Sequence, residues 1–217
     1  GQQDTIYKSY GDKVRMLGVS SSNFVSTSNV VSNPTWSNKG TSTSFNTRIN
    51  GQLLWTSPRI GGFEVGYSLR QDPTKSATRN QGLSSVGINW TDKTYYVGLA
   101  QEVHDDYFAF SGAASTAAAG SVYNAAAGLR SKDTATRLSF GYRASGVRIG
   151  ADTSSLKYTE TSAQANGFQS YKTSTWQITG EYDLNSKISL AAQYASNAAG
   201  NCALNGTISC STVGLGG

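Results

Sequence analysis

Few side chains in this sequence could make or break bonds, and their spacing limits the chemistry on offer. His104, the one histidine, stands in QEVHDD beside Glu102, Asp105 and Asp106, residue types that together bind zinc or manganese. With no second histidine nearby, a solvated residue at the mouth of a loop is the expectation. Cys202 and Cys210 are the two cysteines, eight positions apart in NCALNGTISC. In an oxidising compartment that spacing could close a small loop disulfide; free thiols are the alternative. A metal is the weaker reading, because no further Cys or His pair completes a tetrahedral set. No Ser-His-Asp order, phosphate loop or dinucleotide glycine motif occurs, and the GLGG at the end reads as a turn. Asn89-Trp90-Thr91 and Asn205-Gly206-Thr207 fit the glycan acceptor pattern, which an Asn- and Thr-rich chain produces by chance. The expectation is a protein with no enzymatic step and no cofactor.

The remaining chemistry is that of fixed charge. Eighteen Lys and Arg against thirteen Asp and Glu give a net charge of +5. The basic residues are scattered, so the patch expected of a nucleic-acid face is missing. Charged residues make up only 14% of the 217, where a quarter is ordinary for a soluble domain. Aromatic residues reach 11%, which argues against disorder. No run approaches the roughly 18 apolar residues of a spanning helix, and GQQDTIYKSYGDK has no apolar core of a signal peptide.

The elements that must position these charges are strands. From Ser44 the chain alternates, with Phe45, Ile49, Leu53 and Trp55 on one face and Asn46, Arg48, Asn50 and Gln52 on the other. The same period runs through GFEVGYSLRQ, LSSVGINWT and TYYVGLAQEV, then through TATRLSFGY, VRIGADTS, STWQITGEY and KISLAAQY. A ninth, weaker strand begins near Ser211. Short turns fall at Pro58–Gly62, Asp92–Lys93, Ser145–Gly146 and Asn185–Ser186. Long loops fall at Asp72–Gln81, His104–Asp133, Tyr158–Thr173 and Asn197–Ser209, the second with an Ala-rich stretch able to form a short helix. Alternating short and long connections describe an antiparallel meander. In a soluble sandwich its apolar face would point inward. In a membrane barrel the apolar face meets lipid and the polar face lines water. Aromatics at strand ends (Phe45, Trp55, Phe63, Trp90, Tyr95, Tyr142, Trp176, Tyr182 and Tyr194) and small or charged residues on the polar faces favour the barrel.

Residues 47–67, TRINGQLLWTSPRIGGFEVGY, resemble the strand–turn–strand of Gram-negative trimeric general porins, particularly the beta-proteobacterial branch. The resemblance rests on Arg48, Asn50, Trp55, Ser57, Pro58, Gly62 and Phe63. The opening GQQDTIYKSYGD resembles the point where the fifth strand of that family ends and the third loop begins, with Gln2 where an Arg is usual. The resemblance implies an all-β, sixteen-stranded antiparallel transmembrane barrel, of which about nine strands, the sixth to the fourteenth, are represented here. A nine-strand sheet with two open edges cannot span lipid alone, so the expectation is part of a longer barrel.

On that template residues 1–43 form the inward-folded constriction loop and residues 44–217 the barrel strands and loops; a disordered Ser/Asn tract is the alternative for the former. The implied role is an outer-membrane diffusion channel for ions and small hydrophilic solutes. Its partners would be two further copies in a homotrimer, with outer-membrane lipid and lipopolysaccharide around them. A surface-exposed adhesin or structural protein without channel activity is the competing reading, and an outer-membrane enzyme barrel a third.

Polar-face positions give lumen-facing Arg48, Arg70, Arg137 and Arg148 against Glu64, Glu102, Asp152 and Glu181. Charges at the wide mouths are screened within about 8–10 Å. Selectivity is therefore expected from Arg48, Arg137 and Asp152 at mid-strand, with Lys8, Asp12, Lys13 and Arg15 on the loop. The expectation is a mild preference for anions, and Cys202–Cys210 paired in an extracellular loop.

Overall fold

The computed structural model describes residues 2–14, 45–46, 48–73, 75, 80–106, 130–161, 168–198 and 200–204. Arg15, Cys210 and the strand expected near Ser211 lie outside the described residues. Eight strands form one antiparallel meander in sequence order: β3 (Leu53–Thr56), β4 (Phe63–Gln71), β5 (Gly82–Thr91), β6 (Tyr95–Asp105), β7 (Arg130–Ala144), β8 (Val147–Thr161), β9 (Phe168–Asn185) and β10 (Ile188–Asn197). β11 (Asn201–Leu204) follows β10 along the same edge of β9, with Asn201 opposite Lys172 and Cys202 opposite Tyr171. β1 (Gln2–Asp4) and β2 (Arg48–Asn50) form a separate two-stranded ribbon, and α1 (Ile6–Asp12) leads out of β1.

The short turns stand where the sequence puts them, for local reasons. In the β5–β6 turn, Asp92 Oδ1 accepts the backbone N–H groups of Thr94 (2.7 Å) and Tyr95 (2.6 Å), an Asx turn. These hydrogen bonds hold its carboxyl below the usual range. Asn185 does the same for the N–H groups of Lys187 and Ile188. The strands run longer than the apolar period indicates. Segments expected as loop belong to β6 through Asp105, β7 from Arg130, β8 through Thr161, β9 from Phe168, and β11.

The two faces of this sheet differ in an unusual direction. Odd positions of β6 such as Val97 and Leu99 are exposed, while even positions such as Ala100, Glu102 and His104 are buried. Leu138, Phe140, Ile149, Trp176 and Ile178 are likewise exposed, while Arg137, Asp152, Gln177 and Thr179 are buried. The apolar face is uncovered and the polar face is covered. Water cannot be the solvent for a continuous sheet of exposed Leu, Ile, Val and aromatic side chains, and this is the arrangement of a β-barrel wall in lipid. Aromatic contacts continue across the outer surface, as between Tyr95 and Tyr142 (centroids 5.6 Å apart) and Trp176 and Tyr194 (5.4 Å).

One strand expected from Ser44 is two elements. Gly51 adopts φ +65°, a left-handed conformation that side chains disfavour, and the chain turns there between β2 and β3. Phe45 and Ile49 consequently lie inside, buried, while Leu53 and Trp55 lie outside, exposed. Phe45 is thus not part of an interfacial girdle.

Candidate functional site

What covers the polar face is the chain's own first segment. α1 lies against the inner sides of β4, β5, β6 and β7. Thr5 caps it, its Oγ1 accepting the Lys8 N–H at 3.3 Å. Seven residues are too few for a helix to stand alone in water, so its stability comes from docking. Ile6, Tyr7 and Tyr10 are buried, and the backbone N–H groups of Ile6 and Tyr7 donate to Ser68 Oγ (3.4 Å) and Ser85 Oγ (2.8 Å). Tyr7 Oη donates to Ser154 Oγ at 3.1 Å, and Tyr96 Oη donates to the Tyr10 carbonyl at 2.8 Å. Past the helix, Thr179 Oγ1 donates to the Val14 carbonyl at 2.8 Å. Burial pushes the Tyr7 phenol up to about 12, with the nearby Arg137 charge opposing it, so it stays a neutral donor.

The approach is close enough to require glycine beneath it. A Cβ at Gly66 would stand 2.5 Å from Ile6 Cδ1 and 2.7 Å from Tyr10 Oη. At Gly150 it would stand 1.9 Å from the Val14 carbonyl oxygen. Gly66 pairs with Gly87 beneath Ile6 and Tyr10, and Gly141 with Gly150 beneath Val14, two glycine pairs on separate register rows, the first continuing through Ala100 and Arg137. These glycines are legible as polar-face positions; the contacts above them show what they accommodate.

The base of the segment is clasped to itself. Beyond the β1–β2 ribbon, Arg48 Nε donates to Asp4 Oδ1 at 2.9 Å, and Gln52 Nε2 donates to the carbonyls of Gln3 (2.9 Å) and Asp4 (3.1 Å). Lys8 reaches Asp12 in a direct ion pair and Asp4 at 3.7 Å.

The expected site residues therefore divide. Arg48 is exposed and Lys13 is exposed, the ammonium of Lys13 lying 5.6 Å from the Tyr10 ring centroid and 5.8 Å from that of Tyr96. Lys8 is buried and neutralised by Asp12. Arg137 and Asp152 are both buried and brought together, Nη2 to Oδ2 at 2.6 Å, beneath the segment. Gln177 also donates to Asp152, and Arg137 Nη1 donates to Asn46 Oδ1 at 3.4 Å, reaching the returning limb. Its guanidinium stands 5.8 Å from the Tyr7 ring centroid. Sequence reasoning missed Asn46 and Gln177, whose alternation marks the face but not the contact.

Nearer the ends, Arg59 pairs with Glu64 (3.0 Å), and Arg148 pairs with Glu181 (2.5 Å) and Asp183 (2.7 Å). His104 corrects an expectation. It is no solvated loop residue but a fully buried one on β6, 2.9 Å from Glu102 and stacked on Phe45 at 4.6 Å. Tyr7 and Tyr158 complete an aromatic cluster around Phe45. Among the described residues no group of His, Cys, Asp and Glu could hold a metal ion. The Cys202–Cys210 pairing lies outside the described residues, since Cys210 does; the backbone of Cys202 is part of β11.

The arrangement is a polar-lined wall with a folded segment fixed across it, capable of narrowing an aqueous path and biasing it by charge. A family model described as Gram-negative porin matches residues 1–217. No curated protein and no solved structure matches the chain.

Proposed function

Because the chain belongs to the Gram-negative porin family, a family of outer-membrane channels and not of enzymes, we propose that it forms a passive diffusion pore for ions and small hydrophilic solutes, narrowed by the segment that carries α1. The observation that supports this is the inward docking of that segment on the polar face while the apolar face stays open to lipid. A segment held at both limbs keeps a fixed aperture, and low-dielectric walls keep charge at such an aperture from being screened. The adhesin reading has no observation in its favour, since the polar face is occupied by the chain itself.

The ion preference we propose is mildly anionic. Among the described residues Lys13 and Arg48 are the exposed cations of the narrowing segment; Arg48 also pairs with Asp4, so Lys13 carries the larger share. Lys8 is offset by Asp12, and Arg137 by Asp152, so each of these pairs contributes little net field. Arg137 then acts as a positioning residue, holding Asn46 and the returning limb. Homotrimeric assembly completes the proposal.

Reversal potential across a salt gradient tests it. Stable conductance steps with a potential of anionic sign are expected for the wild type. Arg48→Glu with Lys13→Glu should move that potential toward the cationic side, and Arg137→Met/Asp152→Leu, which removes both members of the cancelling pair together, should leave it nearly unchanged. Absence of discrete steps, or a double variant with unaltered selectivity, overturns the reading.

A further inference from the structure

The returning limb of the narrowing segment carries an asparagine that nothing holds. Asn50 ends β2, is exposed, and makes no side-chain hydrogen bond among the described residues. Other asparagines are engaged. Asn46 accepts from Arg137, Asn89 accepts from Arg59 and donates to Glu64, and Asn185 accepts two backbone N–H groups of its turn. The residue after Asn50 is Gly51, whose φ of +65° turns the chain from β2 into β3. Its N–H makes no hydrogen bond among the described residues, and nothing lies within 4 Å of where a Cβ would stand.

An unheld carboxamide beside an unhindered backbone nitrogen has an intramolecular reaction open to it. Gly51 N attacks Asn50 Cγ. The N–Cγ bond forms, the Cγ–Nδ2 bond breaks, and Nδ2 leaves as ammonia, carrying the proton of the Gly51 N–H. Water then opens the five-membered imide at one of its two carbonyls. Opening at Cγ gives aspartate; opening at the main-chain carbonyl gives isoaspartate, with the backbone routed through the side chain. The balance is one water taken up, one ammonia released, and a carboxylate where a neutral amide stood. A side chain at position 51 would crowd the attack and restrict the rotation that it needs, and glycine does neither. Asn50 pairs with Gln2 at the end of the ribbon, so only that last pair must fray for the carboxamide to reach the nitrogen.

We propose that Asn50 is a self-modifying site, converting to aspartate and isoaspartate as the protein ages and adding a fixed negative charge to the aperture. Arg48 is two residues away on the same exposed face, about 7 Å along the strand. That is inside the screening length of about 8–10 Å at ordinary salt. Arg48 already pairs with Asp4, so a second carboxylate offsets what remains of its field. Gln52 ties the turn to the carbonyls of Gln3 and Asp4, which keeps the new charge on the narrowing segment. The effect on selectivity rests on the pore reading; the conversion does not.

The test ages the full-length protein, folded in detergent at mildly alkaline pH, and follows it by peptide mapping with mass spectrometry. An isoaspartyl methyltransferase labels the isoaspartate product. Asn166 and Asn205 also precede glycine and lie outside the described residues, so each peptide is read by position. The Asn50 peptide is expected to convert while the Asn46 and Asn89 peptides stay intact. Asn50→Gln, which would need a six-membered ring, should not convert at that position. Reversal potential is recorded on the same samples. Aged wild type should drift toward the value of Asn50→Asp, and aged Asn50→Gln should hold its starting value. Asn50 converting no faster than Asn46 and Asn89 overturns the proposal. Conversion with a potential that neither ageing nor Asn50→Asp moves overturns the charge effect. A chain that converts at Asn50 but never conducts sinks the pore reading alone.

Discussion

Arg137 and Asp152 show how burial changes the meaning of a charge. Both face inward at mid-strand, and by position alone they belong to the lumen; with both enclosed beneath the segment, their fields largely cancel. Removing one partner leaves the other charge enclosed, at a cost of about 3–5 kcal/mol, while replacing both with apolar groups is often near neutral. Arg137→Met is therefore expected to lower stability by that amount in urea titrations of the detergent-solubilised barrel, and Arg137→Met/Asp152→Leu to recover most of it. If the single and double variants are equally destabilised, the pair is not the coupled unit described here. Gly150 offers a second handle. A methyl there must displace the Val14 carbonyl, so Gly150→Ala is expected to cost about 1–3 kcal/mol and to broaden the distribution of single-channel currents. Thr179→Val, which deletes the hydroxyl's bonds to the carbonyls of Val14 (2.8 Å) and Gly150 (3.4 Å), should cost closer to 1 kcal/mol. A Gly150→Ala channel with wild-type current would mean the segment is held elsewhere.

At the scale of elements, the strands were readable wherever one face met lipid, because alternation of Leu, Ile, Val and aromatics against polar residues is what that interface imposes. Their upper halves were not. Above the apolar belt the outward face is polar, as at Lys132, Thr134, Thr136, Ser155 and Lys157, while the apolar Ala135 and Leu156 point inward, so the period-2 signal that marks the belt fades there and looks like loop. That is why His104 reads as a solvated residue in the sequence. α1 was hidden for another reason: IYKSYGD is short, contains glycine, and becomes helical through contacts with strands far away in sequence. Phe45 reads as outward in the sequence because alternation cannot count past a left-handed glycine, here Gly51. β11 extends ordered pairing to Cys202, which sits opposite Tyr171. A bridge from there to Cys210 would close a small loop and stabilise by at most roughly 2–3 kcal/mol. Alkylation of folded protein should label no thiol without reductant and two with it; labelling before reduction would count against the bridge.

At the scale of the whole molecule, the outer surface decides how the protein can be handled and with what it assembles. A wall exposing Leu53, Ile60, Val86, Leu99 and Leu138 needs lipid, detergent or another barrel against it. In mild detergent, mass photometry is expected to give three copies per particle, and a uniformly monomeric population would remove trimerisation from the proposed function.

The docking of α1 also has a history in time. Tyr7 is tied to Ser154, and Val14 to Thr179, partners separated by 147 and 165 positions along the chain. The helix emerges from synthesis long before the strands that give it a groove, and such distant pairings form slowly. The wall is therefore expected to be built with its passage unobstructed, the aperture being set once β8 and β9 are in place to receive Tyr7 and Val14. A barrel caught before that step would already sit in its membrane and already conduct, yet would be unable to tell a small solute from a large one.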